Sequence, residues 1–335
     1  MEKLSKIDLK LIEYNKLLSE SNLDLRVKGK NIDHVVMNTI RRMVLTKVPI
    51  YAFKDIVITE NTSIFNNNYL KVRLENIPVF GINNNNDFLP DNDRENDTED
   101  DTEDNINQII QDDIDINIDE NIDDLNLNQL TMYLQYENKL KDECVTVSTD
   151  NAIFYVLEKK IKSPYPNPIP IIKLNPGEKI SFSAITKLDI EKTSAIFSPV
   201  SVITCLQNSS NDYTMKLESR GQITEKRILI VAIKNILKML NDFIVLVPDK
   251  NNGMEGTLKI MNGNHTIGNL ISSSMRKNKL VSFCGYNVPH PLDNKVNISY
   301  KIEGGKLKNI LNDVVKYNIN LFENILKLIE KLKIN

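Results

Sequence analysis

Residues 281–292 read Val281-Ser282-Phe283-Cys284-Gly285-Tyr286-Asn287-Val288-Pro289-His290-Pro291-Leu292. The first six have the composition of a strand. The two prolines flanking His290 then fix φ in the segment that follows, because the pyrrolidine ring locks that torsion. On the residues alone this is a strand running into a rigid structural turn. Its surroundings are equally regular. Residues 257–261 predict another strand. Asn264-His265-Thr266-Ile267-Gly268-Asn269 opens a short helix over 266–275, with Ile267, Leu270, Ile271 and Ser274 on one face. Residues 296–302 predict a further strand, and Gly304-Gly305 breaks the chain. A long helix over 307–332 then carries Ile310, Leu311, Val314, Leu321, Ile325, Leu328 and Leu332 at helical spacing. At 1.5 Å per residue it spans roughly 39 Å, and so long an apolar stripe requires a partner surface.

The other end of the chain offers a similar unit. Leu23, Leu25 and Val27 alternate with polar residues, as in a half-buried strand. Asp33 is an N-cap for a helix over 33–46, whose apolar face is Val36, Ile40, Met43 and Val44. Asn38, Arg41 and Arg42 lie on its polar side, and Pro49 ends it. Read alone, the arginine pair is a solvated face or a fork for carboxylate, phosphate or carbonyl. A second late helix, over 224–241, carries Ile230, Ile233, Ile236, Leu237 and Leu240. Each end thus holds a strand, a helix with a polar opening, further strands and a late amphipathic helix. The fold class expected is α+β, with two related modules forming an intramolecular pseudo-dimer. The first module is interrupted by a mostly β inserted domain. The boundaries read as 1–50 and 206–247 for the first module, 51–205 for the insert, 248–255 for a linker and 256–335 for the second module.

Within the insert, strands are expected over 144–147, 152–157 and 180–185. Asn175-Pro176-Gly177-Glu178 is a turn with a mechanism, since Pro presets φ at its second position and Gly accepts φ > 0 at its third. Residues 83–128 form an acidic Asn/Asp-rich stretch expected to be a disordered loop. From Asp87 to Asp124 there are 17 Asp and Glu against one Arg, which leaves 41 Lys and Arg against 28 Asp and Glu elsewhere. The rest of the chain is therefore basic although the net charge is −3.

Several function classes are excluded at this level. The three cysteines, Cys144, Cys205 and Cys284, are far apart and form no CxxC pair, so a disulfide framework or cysteine-rich zinc site is not expected. No segment approaches the ~18–20 continuous apolar residues of a membrane span. Phosphate-binding glycine motifs and nucleophile–histidine motifs are missing, so no catalytic, cofactor or metal residue is expected.

Two resemblances follow from these residues. Asn38 to Pro49, Asn61-Thr62-Ser63, residues 72–79, Leu174-Asn175-Pro176-Gly177, Ser198-Pro199-Val200 and Glu218-Ser219-Arg220-Gly221 resemble motifs of the RNA polymerase subunits related to bacterial alpha. That family includes the third subunit of eukaryotic RNA polymerase II and the archaeal D subunit. Residues 264–269 and 281–292 resemble the signatures of its eleventh subunit and the archaeal L subunit, with Asn264 and Cys284 where Asp and Ala are usual. Both in one chain resembles the arrangement in large cytoplasmic DNA viruses.

The resemblance implies a non-catalytic assembly subunit of a multisubunit DNA-directed RNA polymerase, binding no cofactor itself. It implies contact with the second-largest and largest subunits and with small polymerase subunits, little direct DNA contact and no membrane. Asn38, Arg41, Arg42 and Arg73 are the implied large-subunit interface. Ile230, Ile233, Leu237, Leu311, Val314, Leu321 and Ile325 are the implied seam between modules, an intramolecular pseudo-heterodimer rather than a homodimer. His265, Gly268, Asn269, Gly285, Tyr286, Pro289, His290 and Pro291 carry the structural motif. The implied location is the host cytoplasm and virion if viral, otherwise the nucleus. The alternative expectation is a free-standing regulatory or nucleic-acid-binding protein on the same fold, which the basic remainder alone favours.

Overall fold

The computed structural model describes residues 5–16, 21–80, 129–156, 159–246, 253–261, 263–290 and 295–333. The acidic stretch over 83–128, expected to be a disordered loop, lies outside the described residues. In chain order the elements are β1 (Asp8–Lys16), β2 (Ser21–Lys28), α1 (His34–Lys47), β3 (Ile50–Asn61) and α2 (Asn67–Glu75). Then come β4 (Leu130–Glu137), β5 (Val145–Ser148), β6 (Ile153–Val156), β7 (Lys159–Ile161), β8 (Pro170–Leu174) and β9 (Lys179–Asp189). The chain continues as β10 (Val200–Ser209), β11 (Asp212–Ser219) and α3 (Glu225–Leu246). It ends with β12 (Glu255–Met261), α4 (His265–Arg276), β13 (Val281–Asn287), β14 (Lys295–Ile302) and α5 (Leu307–Glu330).

Two compact units result. One is 1–48 with 198–335, and the other is 49–197. The division on return falls at 197/198, whereas a boundary at 205/206 would cut through β10. That strand pairs along its length with β11, so it belongs with the first unit. Its burial explains why the sequence hides it: Val200 and Ile203 are buried, and no alternation connects them.

The unit of 1–48 and 198–335 contains two antiparallel sheets, in the orders β1-β2-β11-β10 and β12-β14-β13. Leu23, Leu25 and Val27 of β2 face inward with Tyr213, Met215 and Leu217 of β11. Helix α1 begins where Asp33 accepts the Val36 N–H at 2.9 Å, so its cap is satisfied by side chain rather than water. Its buried face is Val35, Val36, Met37, Thr39, Ile40, Met43 and Val44. Helix α3 extends five residues beyond the expected end at 241, because Phe243, 2% exposed, prolongs its apolar stripe. Helix α5 buries Leu307, Ile310, Leu311, Val314, Val315, Leu321, Phe322, Ile325 and Ile329.

The outer side of the first sheet carries one strong ion pair. Arg26 donates from Nε at 2.9 Å and from Nη2 at 2.6 Å to the Asp212 carboxylate. This guanidinium, with help from the Asn208 amide, holds the Asp212 carboxyl well below the usual carboxylate range, at about 2, while desolvation works the other way. A depressed carboxylate adds stability that is fully present above its unfolded value near ~4 and is lost as pH falls toward 2. Thermal melts at stepwise lower pH check this. Asp212→Asn is expected to lose less melting temperature than wild type between pH 5 and 2.5.

The unit of 49–197 is a five-stranded antiparallel sheet, β3-β9-β4-β6-β7, with the β5-β8 pair and helix α2 against β3. Phe53, Leu70, Leu74, Leu130, Met132, Phe154 and Phe182 lie in its core. The turn over 175–178 forms as the sequence predicts: Glu178 N–H donates to the Asn175 carbonyl at 3.1 Å and Gly177 sits at φ +79°. A side chain at that φ is strained, which is why glycine stands there.

Candidate assembly surfaces

The seam between the first and last parts of the 1–48/198–335 unit is built from helix pairs. Helix α1 packs on α4, and α3 packs on α5. The polar contacts give their direction. Asp33, at the start of α1, receives Lys277 Nζ at 2.7 Å from the end of α4. Arg42, in the second half of α1, donates from Nε to Thr266 Oγ1 at 3.0 Å, at the start of α4. Lys226, at the start of α3, donates to the Leu332 carbonyl at 3.0 Å, just past the end of α5. Both helix pairs therefore run antiparallel. Asn31 adds a fourth link, donating to the Tyr317 hydroxyl at 2.8 Å while its Oδ1 accepts from Ser5.

The residues expected at the seam lie on these helices. Ile230 and Ile233 of α3 and Leu311, Val314, Leu321 and Ile325 of α5 are buried, and Leu237 is half-buried. Burying each such side chain contributes about 1.5–3 kcal/mol relative to exposure. Between α4 and α5, Asn318, 1% exposed, donates to the Val314 carbonyl at 2.8 Å and the Ser274 hydroxyl at 3.0 Å. A buried amide left without those partners would be costly, so the pair fixes how α4 meets α5.

The motif residues have structural explanations. Asn264 caps α4 by accepting the Thr266 and Ile267 N–H groups at 2.9 and 3.1 Å. The ring of exposed His265 meets that of Tyr286 edge-on, with centroids 5.9 Å apart. A Cβ on Gly268 would lie 2.7 Å from both Tyr286 Cδ2 and Val296 Cγ2, so α4 can approach its sheet only with glycine there. The Asn269 carbonyl accepts from Ser272 Oγ at 3.3 Å. Gly285 is half-buried on β13, Pro289 and His290 are exposed, and Pro291 lies outside the described residues.

The arginine pair divides. Arg41 donates from Nε at 3.1 Å and Nη2 at 3.0 Å to Asn38 Oδ1 one turn earlier, so this fork is held in place on the polar face of α1. Arg42 has the in-chain partner Thr266, a use that its sequence position did not announce. Arg73 is in the other unit, exposed on α2. Beside Arg41, burial pushes the Cys205 thiol up to about 11 against the pull of that guanidinium. Burial does the same to Cys284, also to about 11, with Arg276 opposing. Neither is a thiolate at neutral pH. Among the described residues no cluster of His, Cys, Asp or Glu is arranged to hold a metal, and no helix is long and apolar enough to cross a membrane.

Residues 255–328 match the RNA polymerase Rpb3/Rpb11 dimerisation domain family. Over 97% of its length the chain is 26% identical to a protein of Acanthamoeba polyphaga mimivirus named as a DNA-directed RNA polymerase subunit, covering 94% of that protein. It is 38% identical over 52 residues to the RPAC2 subunit of RNA polymerases I and III of Saccharomyces cerevisiae, 16% of this chain and 37% of that one. Over 73 residues it is 37% identical to the RNA polymerase II subunit RPB11 of Plasmodium falciparum, 21% of this chain and 58% of that one. The chain thus spans under two thirds of these two cellular relatives and nearly all of the viral one. The match to the Rpb3/Rpb11 dimerisation domain family thus lies in residues 255–328, within a chain that over 97% of its length is similar to a viral protein named as a DNA-directed RNA polymerase subunit.

Proposed function

We propose that this chain is a non-catalytic assembly subunit of a viral multisubunit DNA-directed RNA polymerase, with two alpha-like modules paired inside one polypeptide. The observation that carries the pairing is the seam: two antiparallel helix pairs tied by Asp33–Lys277, Arg42–Thr266 and Lys226–Leu332. The sheet orders support it. β2-β11-β10 and β12-β14-β13 have the same sequence of connections, with α1 or α4 after the first strand and α3 or α5 after the last. Matching N-caps, Asp33 and Asn264, open α1 and α4. Two such modules related by a pseudo-twofold axis form an isologous-type contact. Tethering makes the pairing intramolecular and therefore favoured by a high effective concentration.

In this role unit 49–197 is a domain inserted into the first module. Asn38 and Arg41 form the docking point for the second-largest subunit, with Arg42 behind them bracing the seam and Arg73 a second contact. The largest subunit and small polymerase subunits complete the assembly. The role calls for no cofactor on this chain, and the viral relationship points to the host cytoplasm. Co-expression with the second-largest subunit of the same polymerase tests the docking point. Arg41→Glu is expected to lower recovered complex by about tenfold or more, as loss of a charge-assisted contact does. Recovery equal to wild type, with the variant folded, removes Arg41 from the interface.

A further inference from the structure

A second surface stands out in unit 49–197. On α2, Val72 is 58% exposed and Tyr69 42%, at i, i+3 spacing on one side of the helix, and Ile64, three residues before the helix, is 75% exposed. The aromatic part of this surface is ordered. The rings of Phe65 and Tyr69 stack with centroids 4.7 Å apart and planes 18° from parallel. Arg73 donates from Nη1 to the Tyr69 hydroxyl at 3.3 Å and from Nη2 to the Pro170 carbonyl at 3.1 Å. Its guanidinium carbon lies 5.9 Å from the Tyr69 ring centroid.

The charge on α2 is one-sided. Lys71 and Arg73 are exposed, while Glu75, the helix's one carboxylate, is held by Lys54 at 3.2 Å. A planar cation set beside stacked rings and exposed aliphatic groups is the composition of an interface anchor. Much of its ordering is complete before binding, which lowers the entropy cost of association.

We propose that this shelf docks an acidic segment of a partner protein, with a carboxylate on Arg73 and an adjacent apolar side chain over Val72. Charge complementarity selects the carboxylate, and the exposed aliphatic side chain of Val72 favours a peptide over a nucleic acid, whose contacts would be made by phosphate and stacked bases. The proposal rests on the assembly reading for the source of the partner, another polymerase subunit, and not for the chemistry of the shelf.

The test uses the full chain in the polymerase purified from its source, with the photo-reactive residue benzoylphenylalanine at position 72. After irradiation, mass spectrometry identifies the peptide joined to it. The expected product is an Asp- or Glu-rich segment of a different subunit, with a yield that falls about tenfold when Arg73→Glu is added. Arg73 is exposed, so this variant is expected to fold, and Lys71→Glu provides an independent decrease. The proposal is overturned by no crosslink, by a crosslink to nucleic acid, to a neutral or basic segment, to a second copy or to this chain's own acidic stretch, or by a yield indifferent to both charge reversals. If large polymerase chains are missing from the purified material, the assembly reading fails, while an acidic crosslinked partner still upholds the shelf.

Discussion

Leu321→Ala is expected to destabilise the 1–48/198–335 unit by about 2–5 kcal/mol, the range for removing a buried leucine from a core that closes only partly around the gap. Leu321 is fully buried on α5, the helix whose stripe meets α3. The loss combines the transfer free energy of the deleted methyl and methylene groups with the contacts forfeited by their neighbours. Lys316→Ala, on the exposed side of the same helix, is the control and is expected to stay within about 0.5 kcal/mol. Urea unfolding of both variants decides the matter. Equal midpoints would mean that α5 does not hold the seam together.

Gly268→Ala is expected to cost about 1–3 kcal/mol, by overpacking instead of cavity formation. The added Cβ would meet Tyr286 Cδ2 and Val296 Cγ2 at 2.7 Å, inside any tolerable carbon–carbon contact. Val296 is fully buried and has little room to retreat, whereas half-buried Tyr286 can yield in part. Combining Gly268→Ala with Val296→Ala is therefore expected to destabilise by less than the sum of the two single changes, as residues in contact do. Strict additivity in chemical denaturation would show that the contact is relieved elsewhere.

Much of the fold was legible because its elements carry long, regular patterns. The stripes of α1, α3 and α5, the strand alternation of β2 and the Pro-Gly turn at 176–177 all appear where spacing and turn chemistry place them. Helix α2 was not read, since its buried positions are only Leu70 and Leu74, too few to establish a helical period. Strand β10 was cut by an expected boundary because most of it is exposed. Among the candidate site residues, sequence spacing identified Asp33 as a cap but not as the partner of Lys277, 244 positions away. Arg42 with Thr266 and Asn31 with Tyr317 were hidden for the same reason: no local pattern encodes which distant side chain tertiary packing will supply. The assembly assignment itself came from signature runs, and the geometry explains several of them as caps and close approaches.

The most direct measurement of the central claim is affinity purification of the tagged chain from its native source, followed by mass spectrometry. The account predicts recovery of the two largest polymerase subunits in near-stoichiometric amounts, with DNA-dependent RNA synthesis in the eluate. Recovery of the chain alone, or with proteins unrelated to transcription, would contradict it.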